Sequence, residues 1–399
     1  MESLAGPRDV QRLELPVIGR VGRGSGGVWE VFGADGRPVT VWSSFRAELV
    51  AGGCSDSTCR SYGHDVLRWF RFLAALDVSW REAGRVDVRD YVRWLRVAEN
   101  PARVRSAIGD RRPAAGSINE VTGKAYLTAG YSPRTINHAL SVLAEFYRHV
   151  VDAGLGPLRS PVPQRRTSVA LRNGARVTTG GGGCAYRQRE PSAQPRELPE
   201  SLLQNMFQAL GNDRDRALVA VALSSGARAS ELLSMVCNGV DVGLGVVSVT
   251  PKGRPGRVWI PVAPEALVLV GRYLATQART SPDAAVWTTL RAPWTPLNYF
   301  ALRQVLERVN ARLGSNVTWH DLRHTFAHRL LADHRLSLTE VQALMRHQSL
   351  TTLTDYSAVR LDELVSRLHE HLSRPVPPPA PAAGYEQRDL EVLFPGVVL

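Results

Sequence analysis

Thr318-Trp-His-Asp-Leu-Arg-His-Thr-Phe-Ala-His328 is the most polar-dense helical stretch in a chain of 399 residues. Thr318 is a good N-cap, because its hydroxyl can take one of the backbone N–H groups that a helix start leaves unpaired. Steps of three then place His320 and Arg323 on one face of the opening turns. A helix N-terminus is electropositive, so two phosphate-seeking side chains share an end that already favours anions. The same letters spell His320-Asp321-x-x-His324, one methylene away from a zinc-protease helix motif, which leaves a metal-binding alternative open. No separate feature of the sequence marks the third ligand that this alternative needs.

Upstream, Leu223-Ser-Ser-Gly-Ala-Arg-Ala-Ser-Glu-Leu232 reads as one helix closed at Gly226 and a second capped by Ser230. Arg228 is held in the tight connection between them, with Glu231 within reach as an ion-pair partner. Further on, Val246 to Thr250 and Arg257 to Val262 form two β-rich runs separated by Pro251-Lys252-Gly253-Arg254-Pro255-Gly256, a hairpin tip. Of 49 basic residues only Lys124 and Lys252 are lysine, a bias that coding DNA rich in G and C produces. A lysine retained against that bias suggests chemistry closed to a guanidinium, namely giving up a proton. Ser337-Leu-Thr-Glu340 is a capping box that opens a helix ending at Arg346-His347, and Tyr356 follows nine residues after His347. Taken in order, Arg, Lys, His-x-x-Arg, His and Tyr assemble what phosphoryl transfer from DNA to protein demands. The set supplies cations for a phosphorane, a proton donor for the leaving oxygen and a hydroxyl nucleophile.

These boxes, Ser225-Gly-Ala-Arg228-Ala-Ser-Glu231-Leu232, the Lys252-Gly253 hairpin, His320-Asp-Leu-Arg323-His324 and Leu344-Met-Arg-His347 with Tyr356, resemble the signature of the tyrosine recombinase, or phage integrase, family. The likeness is strong over residues 197–374, whereas residues 43–155 are similar to that family's helical core-binding domain in pattern only. It implies a multidomain α and α+β fold, with a helical, SAM-like N-terminal domain and a mostly helical catalytic domain carrying a small antiparallel sheet. By the same resemblance Arg228 and Arg323 clamp the scissile phosphate, Lys252 protonates the departing 5′ oxygen, and His320 is general acid/base. His347 donates a hydrogen bond to the phosphate, Glu231 supports the arrangement, and Tyr356 becomes linked to the 3′ phosphate of the DNA. One departure is Met345-Arg346, where the family usually carries Gly directly before the histidine.

The activity so implied is site-specific recombination or integration, independent of metal, ATP and cofactor, with double-stranded DNA as partner. Recombination also needs more than one protomer, a dimer or tetramer on DNA. An apolar stripe at Leu361, Leu364, Val365, Leu368 and Leu372 is the candidate contact. A type IB topoisomerase-like strand transferase is the nearest enzymatic alternative, and a catalytically inert DNA-binding relative is the competitor of a different class.

The rest of the chain organises around that core. Basic residues outnumber acidic ones 49 to 37, a net charge of +12 that points to a polyanionic partner. Apolar runs such as Ala217 to Leu223 are too short to cross a bilayer, and Met1 to Val10 lacks the apolar segment of a secretory signal. A cytoplasmic, nucleoid-associated protein follows as the expectation. Residues 1–42 read as a basic segment with a hairpin between Val28–Phe32 and Val39–Trp42. Helices are expected from Tyr62, Val66, Trp69, Phe70 and Leu73, and again from the N-cap Ser132 through Ile136, Leu140, Leu143, Tyr147 and Val150 to a stop at Gly154. Between them Asn100 to Gly130 reads as a long loop carrying Arg103, Arg105, Arg111 and Arg112. Residues 156–196 read as an interdomain linker rich in Arg, Gly and Pro, in which Arg165, Arg166 and Arg172 are candidate DNA contacts. Residues 375–399 read as a Pro/Ala-rich tail.

Overall fold

Good caps and an aromatic stripe repeating every three to four residues decide the N-terminal half. The computed structural model describes residues 8–101, 114–165, 167–170, 176–179, 183–190, 197–251, 256–277, 281–333 and 336–346. Two compact units are present, Met1–Phe326 and Ala327–Leu399. Strand β1 (Arg20–Arg23) pairs antiparallel with β2 (Trp29–Phe32), Arg20 facing Phe32. The expected hairpin is therefore displaced. Val39 does return its N–H to the Val31 carbonyl at 2.8 Å, but helix α1 (Thr40–Ala51) starts at the next residue. Val41, Trp42 and Phe45 are spaced for one helical face, and all three are buried on it.

Helix α2 (Asp56–Ala75) begins where Ser55 Oγ accepts the Thr58 N–H at 3.2 Å. It buries Val66, Trp69 and Leu73, with Tyr62 and Phe70 half-buried along the same stripe. Helix α3 (Arg85–Val97) follows, and then α4 (Pro133–Asp152), capped by Ser132 and started by Pro133 as the sequence indicates. Ile136, Leu140, Leu143, Tyr147 and Val150 of α4 are all buried, and Gly154, at φ 64°, lies just past the helix end. The aromatic core is stitched as well as packed. Trp69 Nε1 donates to the Tyr147 hydroxyl at 2.9 Å, which donates to the Trp80 carbonyl at 3.0 Å. Burial of that hydroxyl pushes its pKa up.

The stretch read as a linker is in part built into this half. Val162 and Cys184 are buried among the N-terminal core residues. Asn137 of α4 exchanges hydrogen bonds with the Gln188 backbone, at 2.7 and 2.9 Å, and donates to Glu190 at 2.8 Å. Strands β3 (Thr167–Ala170) and β4 (Arg176–Thr179) pair antiparallel within it.

The second core is mixed. Helices α5 (Glu200–Ala209), α6 (Asp213–Ser225) and α7 (Ala229–Leu233) lead into a three-stranded antiparallel sheet, β5 (Val240–Asp241), β6 (Val246–Val249) and β7 (Val258–Pro261). Val249 faces Val258, so β6 and β7 pair antiparallel as expected. Helices α8 (Pro264–Ala275) and α9 (Tyr299–Leu313) cover the core, and α10 (Trp319–Ala332) crosses the boundary between the two compact units. In the second unit, α11 (Leu338–Met345) opens on the anticipated capping box, with Ser337 Oγ accepting the Glu340 N–H at 3.3 Å. Among the described residues no helix is long and apolar enough to cross a membrane.

Candidate active site

Gly226 ends α6 in the left-handed region at φ 57°, which turns the chain sharply enough for α7 to start three residues later. Arg228 occupies the N-cap of α7, and the Glu231 carboxylate accepts from its backbone N–H at 2.9 Å and from its guanidinium at 2.8 Å. Ser230 was expected as the cap. It lies instead inside the first turn, exposed, because Glu231 three residues beyond Arg228 can satisfy that start reciprocally. Glu231 is 0% exposed, so its charge is held wholly by such donors, and Arg228 keeps a third of its side chain open to solvent. The geometry is that of an anchored cation with a free edge.

Arg323 comes from α10 and is only 4% exposed, yet its guanidinium donates to the Gly226 carbonyl at the α6–α7 corner. Thr325, also buried, accepts the Leu198 N–H at 3.1 Å and donates to the Asp321 carbonyl at 2.9 Å. The corner bearing Arg228 and the helix bearing Arg323 are thus bonded directly to each other, bringing two arginine-bearing segments 95 positions apart in the chain to one place. Planar, always-charged groups fixed in this way suit the non-bridging oxygens of a phosphate.

At the start of α10 the Thr318 hydroxyl accepts the Asp321 N–H at 3.4 Å, capping the helix as anticipated, and the Asp321 carboxylate accepts in return from the Thr318 N–H and hydroxyl, both at 2.7 Å. His320 lies exposed beside it, its ring centroid 4.1 Å from that of His324. Although one edge meets solvent, the surrounding protein desolvates the ring, and His324 and Arg323 oppose its protonation; its pKa falls to about 4. Desolvation likewise lowers His324. Both rings are neutral at pH 7 and able to accept a proton.

That depression links to stability. The unfolded chain takes up protons on these histidines near pH 6.5 while the folded His320 resists until about 4, so native stability falls as pH drops through that window. Thermal melts between pH 7 and 4 are expected to decline less steeply for His320→Gln than for the wild type. Parallel slopes would show that His320 titrates normally.

The structure therefore brings Arg228, Glu231, His320 and Arg323 into one neighbourhood. Lys252, His347 and Tyr356 lie outside the described residues, as do Arg166 and Arg172, the loop arginines 103, 105, 111 and 112, the stripe from Leu361 to Leu372 and the tail. Arg165 is exposed, with its backbone N–H bonded to the Gly183 carbonyl at 2.7 Å. Arg346, just before His347, adopts φ 53°, the left-handed conformation that Gly takes without strain. This accounts for the preference for Gly at that step and shows that arginine fills the same backbone role. Among the described residues no three His, Cys, Asp or Glu side chains converge as a metal site would require. What sequence reasoning missed is Lys124, noticed for its rarity but given no partner. Its ammonium lies 2.6 Å from the Asp321 carboxylate.

A family model described as the phage integrase family matches residues 196–363, and one described as the phage integrase N-terminal SAM-like domain matches residues 44–109. Tyrosine recombinase XerD of Xanthomonas axonopodis pv. citri (strain 306) is 30% identical over 261 residues, covering 60% of this chain and 76% of that protein. XerD of Pseudomonas putida (strain KT2440) is 27% identical over 326 residues, covering 79% of this chain and 92% of that one. Among solved structures, the Tn1549 transposon integrase in complex with a circular intermediate DNA superposes with a TM-score of 0.56 at 15% identity, over 83% of this chain and 99% of that one. At that identity the superposition speaks for a shared fold.

Proposed function

Because the chain belongs to the tyrosine recombinase family, a family of enzymes that break and rejoin DNA at specific sites, we propose that Arg228, Lys252, His320, Arg323, His347 and Tyr356 are its catalytic residues, with Glu231 in support. The Tyr356 hydroxyl attacks the scissile phosphorus, the bond from phosphorus to the 5′ oxygen breaks, and a 3′-phosphotyrosine forms. His320, neutral at pH 7, takes the phenolic proton, and Lys252 gives a proton to the departing oxygen. Arg228 and Arg323 neutralise the extra charge of the pentacoordinate transition state, and His347 adds a hydrogen bond to it. Because the phosphotyrosine conserves the energy of the broken bond, the 5′ hydroxyl of another strand can reverse the step without ATP.

The observation that supports this reading most is the bond from the Arg323 guanidinium to the Gly226 carbonyl, which ties the two arginine-bearing segments into one rigid corner. A net charge of +12 favours the DNA partner, with Arg165, Arg166 and Arg172 as phosphate contacts. Exchange between two sites calls for a dimer or tetramer on DNA, joined through the stripe from Leu361 to Leu372. The bacterial nucleoid is then the place of action. The test is to incubate the full chain with a library of nicked duplexes, sequence the DNA held covalently and map the modified residue by mass spectrometry. A 3′ phosphate on Tyr356 at a recurrent sequence is expected. A different modified residue, or relaxation of supercoiled DNA with no site preference, would refute the proposal.

A further inference from the structure

Residues 114–130, read from sequence as plain loop, contain a turn with its own scaffold. Ile118 bridges Ala125, the Asn119 N–H donates to the Lys124 carbonyl at 2.9 Å, and the Gly123 N–H donates to the Asn119 carbonyl at 2.8 Å. Gly123 takes φ 61°, which permits the reversal. The Asn119 side chain is buried and saturated. Its oxygen accepts from the Val121 and Thr122 N–H groups at 3.1 and 2.9 Å, and its amide donates to the Tyr126 hydroxyl at 2.7 Å.

This turn reaches the catalytic half. Asn119 also donates to the Gly314 carbonyl at 2.7 Å, the Thr122 hydroxyl donates to the Asn316 side chain, and Asn316 donates to the Lys124 carbonyl at 3.1 Å. The row ends in Lys124, whose ammonium meets the Asp321 oxygen that also accepts both donors of Thr318. One carboxylate oxygen therefore closes the first turn of α10 and anchors a segment 197 positions away. His320 precedes Asp321, and Arg323 follows it by two.

We propose that Lys124 is a positioning residue for the recombination chemistry: through Asp321 it fixes the opening turn of α10, and so the placement of His320. The proposal rests on the assignment of His320 to the reaction. A half-exposed ion pair adds little to stability, so its contribution lies in orientation. Among the described residues, the charged and titratable groups that act on the His320 ring are His324, Arg323, Asp321 and Lys124, and of these only Asp321 favours its protonated form. Removing the ammonium leaves that carboxylate less opposed, whereas removing the carboxylate leaves the cations unopposed.

The test uses the full chain as wild type, Lys124→Met, Lys124→Arg, Asp321→Asn and the double variant K124M/D321N. Single-turnover cleavage of a nicked duplex, DNA affinity and the His320 ring titration followed by NMR are the readouts. Lys124→Met is expected to cleave about 10- to 100-fold more slowly at unchanged affinity, the scale of a small misplacement of a reacting group. Its His320 midpoint should move up, that of Asp321→Asn down, and Lys124→Arg should restore both midpoint and rate. The double variant should be no slower than the worse single variant, as for a pair acting together. Cleavage at the wild-type rate with an unmoved midpoint would overturn the proposal, and so would loss of affinity in proportion to rate, which would make Lys124 a DNA contact. If wild type formed no covalent adduct, the recombinase assignment would fall, while the opposite midpoint shifts would still decide the coupling.

Discussion

Arg323→Ala and Arg228→Ala are each expected to slow single-turnover cleavage about 10²- to 10³-fold at nearly unchanged DNA affinity, the loss typical of one donor aimed at developing charge. Rate suffers more than binding because a ground-state phosphodiester carries one charge and the transition state more. The double variant should fall short of the product of the two losses, since in the proposed mechanism both guanidiniums serve the same phosphate. The two differ in stability. Arg228→Ala takes the 2.8 Å guanidinium bond away from the fully buried Glu231 carboxylate. Removing one partner of a buried ion pair costs about 3–5 kcal/mol, and because Arg228 is a third exposed the loss should be about 1–3 kcal/mol. Arg228→Ala combined with Glu231→Gln should recover stability without recovering rate. Urea midpoints and quench-flow cleavage on the same preparations test this, and recovery of both together would mean that Arg228 acts only as a structural ion pair.

Gly226→Val should be the most destabilising single change at the site. Its φ of 57° disfavours any side chain, at about 1–2 kcal/mol, and a Cβ there would lie 2.4 Å from Phe326 Cδ1. Overpacking of that kind adds about 1–3 kcal/mol, so a total of about 2–5 kcal/mol is expected, against the roughly 5–15 kcal/mol that holds a folded domain. The damage should reach catalysis, because the carbonyl of residue 226 orients Arg323. Gly226→Ala should be milder, and Phe326→Leu should relieve part of its cost by removing the contact while the backbone strain stays. If Gly226→Val melted with the wild type, the corner would be far more pliable than these distances allow.

Features set by neighbours in sequence were the legible ones. Ser132 with Pro133, the Ser337–Glu340 box, Thr318 as a cap and Gly226 as a helix end each follow from residues within four positions, and the structure holds them where the sequence indicates. The hairpin went astray because Val39–Trp42 fits a strand locally, while Trp42 and Phe45 are claimed by a core assembled from distant helices. Ser230 lost the cap to Arg228 because Glu231 is buried, and burial is a tertiary property. At the site, residue types pointed to phosphate chemistry, but the Arg323 bond to Gly226 and the Lys124 bond to Asp321 span 97 and 197 positions, beyond any local pattern.

The grip of Asn137 on Gln188 and Glu190 has a mechanical consequence. A stretch that reads as some forty residues of slack is held to α4 at Gln188 and Glu190, so seven steps of chain separate Glu190 from Glu197. Fully extended it reaches roughly 25 Å, the ceiling on how far its two ends can travel apart while the clasp holds. Wider opening, of the sort needed to admit and release a thick polymer from the side, would have to break the bonds from the Asn119–Lys124 turn to residues 314–321 and also unhook Asn137.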